Sequence, residues 1–127
     1  MSGENESVAE LLLDTDVLVD VLRGARRIAL AEHHASYSVV TRCELFAGRN
    51  TDEGEVRALL APLTEVTVNR AIAESAGRVR RRRGIQTADA LIAATALERG
   101  LELVTRNRRH FDQIPGVRVR DPDDLAP

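Results

Sequence analysis

A chain of 127 residues with 43% hydrophobic and 30% charged residues fits one globular domain, and excludes both a disordered segment and a pair of domains. Its single cysteine, Cys43, rules out an internal disulfide and suits a reducing compartment. The formal net charge of −2 hides an asymmetry: all 18 basic residues are arginines, clustered at Arg78 and Arg80 to Arg83 and again at Arg106, Arg108 and Arg109.

The start, MSGENESVAE, is polar and acidic and lacks the basic flank and apolar run of a secretion signal. No stretch approaches the roughly 20 apolar residues of a membrane span. A cytoplasmic protein is therefore expected, with residues 1–10 as a polar lead holding at most a helical turn near Val8, and residues 11–127 as the single domain. Leu11 to Leu13 read as a short strand with both faces covered, the kind found in parallel sheets. A helix is expected from Thr15 to Arg23, stopped at Gly24, and a second helical stretch from Ala25 to His33. Ser36 to Val40 reads as a strand and Thr41 to Gly48 as a helix. After the polar break at Asn50 to Gly54, Val56 to Leu60 continue helically until Pro62.

Glu65 to Val68 alternate as a strand, and a long helix is expected from Arg70 to Gly84. Ile85 to Arg99 form the most apolar helix, ended by Gly100. A strand at Leu101 to Val104, a helical turn at Asn107 to Phe111 and a short strand at Val117 to Val119 complete the chain. Strands alternating with helices predict an α/β fold, a short, mostly parallel sheet of four or five strands between two helical layers.

Ligands of such sheets gather outside the carboxyl ends of the strands. Asp14 stands there, directly after Leu11 to Leu13, although an aspartate there can equally cap the next helix. Asp16 lies in that helix's first turn, where the dipole favours acids. Asp20 can pair with Arg23 on the surface. Glu44 closes a T-x-x-E capping box begun by Thr41, yet it also falls at the sheet edge that carries Asp14. ADALIAATAL is apolar except for Asp89 and Thr95, and Asp89 shares a helical face with Ile92, Ala93 and Ala96; with Thr87 as cap, it can serve the helix dipole. A buried charge nevertheless calls for a partner or a metal. Asn107, in the Thr-x-Asn turn after the last long strand, can cap the next turn, ligate a cation or hold its water.

Oxygen donors without His or Cys select hard cations, Mg²⁺ or Mn²⁺, over zinc. The histidines His33, His34 and His110 lack zinc spacing and are expected at the surface. An ion held by carboxylates can activate water against a phosphodiester. The arginine blocks suit a phosphate backbone, with Arg81, Arg82 and Arg106 as candidate nucleic-acid contacts, although cations also favour helix carboxyl termini. Only Tyr37, Phe46 and Phe111 are aromatic, too few for a stacking platform.

DTDVLVDVLRG, TRCELFAGR, TADALIAATALERG and LVTRNRRHF, in this order, resemble PIN-domain ribonucleases, and among them the VapC-type toxins of bacterial toxin–antitoxin pairs. The resemblance runs from about Leu11 to Asp121. It implies a three-layer fold and metal-dependent RNA cleavage with Asp14, Glu44 and Asp89 as ligands. It further implies supporting hydroxyls at Thr15 and Thr105, a homodimer, and an antitoxin whose carboxyl-terminal segment enters the active-site groove. Asn107 stands where the family has a further acid, which lowers the site's charge and favours one ion over two. Rival readings are an aspartate-nucleophile phosphatase, from the D-x-D form of Asp14 to Asp16, and a PIN-like RNA-binding or protein-interaction module without catalysis. A phospho-receiver domain needs a lysine that this chain lacks.

Overall fold

The computed structural model describes residues 9–30 and 32–127. Five parallel strands form one sheet in the order β3-β2-β1-β4-β5. They are β1 (Glu10–Leu13), β2 (His34–Ser38), β3 (Thr64–Val66), β4 (Glu102–Val104) and β5 (Val119–Arg120). Among the described residues six helices flank the sheet: α1 (Thr15–Leu22), α2 (Val39–Phe46), α3 (Glu53–Leu60), α4 (Arg70–Arg83), α5 (Thr87–Arg99) and α6 (Arg108–Asp112). A 3-10 turn at Pro122–Leu125 ends the chain and has no counterpart in the sequence reading.

The three leucines of β1 show how the layers are made. Side chains alternate across a strand, so Leu12 joins α4, α5 and Phe111 on one face. Leu11 and Leu13 join α1, α2, α3 and Leu125 on the other. All three are 0% exposed, as expected for a central parallel strand buried on both sides. Leu103 and Val104 of the neighbouring β4 divide in the same way. Helix α5 is buried at Ala90 and from Ile92 to Ala96, which accounts for its nearly continuous apolar sequence.

The main departure lies at residues 25–33. No helix forms over the described part of this stretch. Gly24 takes a left-handed φ of 73°, which ends α1. The chain then runs without regular secondary structure to residue 30: Ala29 N donates to Leu125 O at 2.7 Å, and Arg26 binds Asp20 and Asp123. Ile28 and Leu30 pack on the core in this form, so tertiary contacts outweigh local helix preference.

Smaller shifts concern element ends. β1 begins at Glu10, inside the expected polar lead; the suggested turn near Val8 lies outside the described residues. α2 begins at Val39 with Ser38 as its cap, because Ser38 Oγ accepts from Val40 N at 3.1 Å. The T-x-x-E box at Thr41 is therefore not used. α5 starts at Thr87 with Gln86, not Thr87, in the cap position.

The sheet order places the topological switch between β1 and β4: from β1 the chain moves out to β2 and β3, and from β4 to β5 on the other side. In open α/β sheets the carboxyl ends of strands at such a switch point are where ligands bind; here those ends carry Asp14 and Thr105. Leu12→Ala should lower unfolding free energy by about 2–5 kcal/mol, because it empties a central position that helices cannot easily refill. Urea denaturation followed by circular dichroism measures it, and a loss below about 1 kcal/mol would contradict the two-sided packing of β1.

Candidate active site

Asp14 leaves β1 at the switch point. Its backbone N continues the ladder to Val104 O at 2.9 Å, so the residue is fixed by the sheet before its side chain makes any contact. The carboxylate is 6% exposed. Oδ1 accepts from Thr15 N at 2.8 Å, which makes Asp14 the cap of α1, and Oδ2 accepts from Thr105 Oγ1 at 2.8 Å. Capping and membership of the acid site thus coexist in one residue. Thr105 is wholly buried just beyond β4, and its Oγ1 also accepts from Asn107 N at 3.0 Å.

Asp16 completes the cluster. Its Oδ2 lies 3.4 Å from Thr105 Oγ1 and accepts from Arg106 N at 3.3 Å. Its Oδ1 is buried with no hydrogen-bond partner among the described residues. A buried acceptor left this way costs free energy of desolvation. Burial first, and then the neighbouring Asp16 carboxylate, push the Asp14 pKa up to about 7 against the pull of the Thr105 and Thr15 hydrogen bonds; Asp89 adds a smaller push. Burial also raises the Asp16 pKa, opposed by Arg106.

Glu44 reaches the same edge from α2. Thr15 Oγ1 donates to Glu44 Oε1 at 2.6 Å and lies 2.9 Å from Thr41 Oγ1. The glutamate faces another element rather than its own helix start. Asp89, in the first turn of α5, is turned to His110, whose Nε2 is 3.1 Å from Asp89 Oδ2. Its side chain is 34% exposed, less secluded than the apolar surroundings in sequence suggest.

Three arginines of the sequence reading separate here. Arg106 Nε lies 3.3 Å from Asp20 Oδ2 and 3.7 Å from Asp16 Oδ2, so it is bound to the acids. Arg81 and Arg82 sit in the exposed last turn of α4, and neither pairs with an acid of the cluster among the described residues. Asp20 is not a surface partner of Arg23: its side chain is 14% exposed and lies between Arg26 and Arg106. His110 was missed as a site residue. Its only sequence signal is a position three residues after Asn107 in the turn that follows β4. Asn107 is exposed, and its side chain makes no cap bond.

The donor set is all oxygen apart from His110. Asp14 and Asp16 crowd together with one oxygen unpartnered, a pattern that fits a hard cation. As the side chains stand, no three His, Cys, Asp or Glu residues among those described converge closely enough to hold one ion. Glu44 is drawn to Thr15 and Asp89 to His110. No helix among the described residues is long and apolar enough to cross a membrane.

The PIN domain family model matches residues 11–117. Ribonuclease VapC19 of Mycobacterium tuberculosis is 37% identical over 119 residues, covering 84% of this chain and 95% of the relative. A toxin-antitoxin complex from Klebsiella pneumoniae contains a chain with a TM-score of 0.71 and 28% identity, covering 88% of this chain and 97% of that one. DNA-bound VapBC from Salmonella typhimurium contains one with a TM-score of 0.74 and 25% identity, covering 89% and 98% respectively.

The raised Asp14 pKa sets a pH dependence. The folded state keeps its proton up to about pH 7, whereas the unfolded chain releases it near the ordinary aspartate value of 3.8. The stabilisation is therefore complete below about pH 4 and is lost as pH rises to about 7. At ~1.4 kcal/mol for each pH unit of displacement, the loss amounts to several kcal/mol. Urea denaturation in chelator should show that Asp14→Asn gains stability over wild type at pH 8 and loses this advantage by pH 4. An equal difference at both pH values would contradict a buried, proton-retaining Asp14.

Proposed function

The chain belongs to the PIN-domain family, and on that premise we propose that it is the toxin ribonuclease of a toxin–antitoxin pair, with RNA phosphodiester bonds as its substrate. The observation that carries this reading is the Asp14–Asp16 cluster held by Thr105, with a buried Asp16 oxygen lacking a partner. Such a concentration of negative charge stabilises nothing by itself and is suited to a bound cation.

Asp14, Glu44 and Asp89 are the residues assigned to hold Mg²⁺ or Mn²⁺, with Asp16 beside them and Asn107 as an uncharged contributor. A divalent cation bound there supplies positive charge that lowers the pKa of water and offsets charge growing on phosphoryl oxygens. Thr105 fixes Asp14 and Asp16 against each other, and Thr15 holds Glu44 on the same side. His110 steers the Asp89 carboxylate through its Nε2 contact. Asn107 leaves one negative charge fewer than a fourth acid would, which favours a single ion.

Arg81 and Arg82 lie on an exposed helix end and are assigned to the RNA backbone. Arg106 acts first on Asp16 and Asp20; its half-exposed side chain leaves phosphate contact as a second role. A cognate antitoxin belongs to the same proposal, following the toxin–antitoxin character of the similar Klebsiella chain; a homodimeric assembly and a cytoplasmic setting are proposed with it on the family resemblance alone.

Asp14→Asn should remain folded yet cleave total RNA at least about a hundredfold more slowly, since even outer partners of a metal site contribute 10–100-fold. Chelation should silence the wild type, and added Mg²⁺ or Mn²⁺ should restore it. The same ions should raise the wild-type melting temperature more than that of Asp14→Asn. Undiminished cleavage by folded Asp14→Asn, purified free of other nucleases, would remove Asp14 from the catalytic set.

A further inference from the structure

A cleft of about 390 Å³ adjoins the acid cluster on the α5–α6 side. Arg83, Ile85 and Gln86 form one wall, and His110, Gln113 and Ile114 the other. His110 joins the two regions, because it lines the cleft while its Nε2 contacts Asp89 Oδ2. Gln86 precedes Asp89 by three residues, so the two lie on one helical side at the start of α5.

The amides have little to do within the fold. Gln86 holds the cap position of α5 without a side-chain cap bond. Gln113 has one long contact, Nε2 to Arg109 O at 3.4 Å, which leaves its Oε1 and further donor capacity available. Both residues are exposed, as is Arg83. A carboxamide offers a donor and an acceptor side by side, which matches the paired groups on a nucleobase edge. Ile85, partly exposed, supplies apolar surface for a base face, with Ile114 buried beneath the cleft, and a guanidinium suits a phosphate.

We propose that this cleft holds the nucleotide next to the cut phosphodiester, reading its base through Gln86 and Gln113 while Arg83 contacts its phosphate. RNA specificity recognition falls mainly on unstacked bases whose edges are open to such side chains. His110, which lines the cleft and contacts Asp89 Oδ2, is the link that would set such a base next to the acids. The inference rests on the ribonuclease reading, but it concerns the amides and not the acids.

The test digests a short, sequence-randomised oligoribonucleotide library with Mg²⁺ or Mn²⁺ and sequences the cut ends. Wild type should prefer one base at a position adjoining the cut. In the Gln86→Ala/Gln113→Ala double variant, the ratio of kcat/KM between preferred and disfavoured bases should fall at least about fivefold, near the lower end of one bidentate contact's contribution. Any loss of folded protein cancels in that ratio. Arg83→Ala should raise KM with the preference retained, since phosphate contacts carry no base information. A wild type without preference beside the cut, or a double variant whose preference superimposes on it, overturns the subsite; the latter also fits a cleft that serves a protein partner. A wild type that cuts none of the library removes the ribonuclease reading along with it.

Discussion

The hydrogen bond from Thr105 Oγ1 to Asp14 Oδ2 joins the ends of the two central strands 91 residues apart in sequence, and the carboxylate it holds is 6% exposed. Most of the surrounding chemistry answers to that carboxylate. Three leucines lock β1 on both faces, so Asp14 has no freedom to withdraw into solvent. Thr105 is equally fixed by β4, and its hydroxyl lies against Asp14, Asp16 and the Asn107 amide. Burial, and then the neighbouring Asp16 carboxylate, push its pKa up to about 7, and among the described residues no basic side chain pairs with Asp14 to offset them.

The positive groups nearby sit on the flanks. Arg106 is bound to Asp16 and Asp20, and His110 to Asp89. Arg26 continues the first of these networks from Asp20 to Asp123 in the terminal 3-10 turn. The extended segment after α1 and the chain's end are thereby tied to the cluster's outer acid. This explains why residues 25–30 serve better as a strap than as a helix: a helix there would turn the Ala29 amide inward and forfeit its bond to Leu125 O.

The sequence carried the architecture because each central strand is short, apolar and followed by a helix whose boundary residues are distinctive. LLLD located Asp14, and the apolar ADALIAATAL made Asp89 conspicuous. Glu44 was ambiguous for a physical reason: a capping box and a site acid obey the same spacing, and only the position of Ser38 as cap separates them. Arg106 and His110 were not legible as partners of acids. Their contacts with Asp16, Asp20 and Asp89 span 90, 86 and 21 residues, and no local periodicity encodes such pairings. The arginine-rich turn looked like a uniform patch for phosphate, whereas folding commits its first member to carboxylates.

That commitment bears on how the acids can work. If Arg106 neutralised the whole cluster, burial of Asp14 would be compensated and a further cation would gain little on entering. It reaches only Asp16 Oδ2 and Asp20 Oδ2, and it leaves Asp16 Oδ1 buried and without a partner among the described residues. The guanidinium therefore limits the repulsion between Asp16 and Asp20 enough for the fold to tolerate them, while the charge that faces Asp14 stays uncompensated. Lysine in its place would offer one compact charge, whereas the planar guanidinium can keep its Nε against the two acids with other N–H donors still facing outward. Under the cation-binding function proposed above, a site that folds before its cation arrives needs partial neutralisation of this kind: sufficient to hold the carboxylates together, and incomplete around Asp14 and the Asp16 Oδ1.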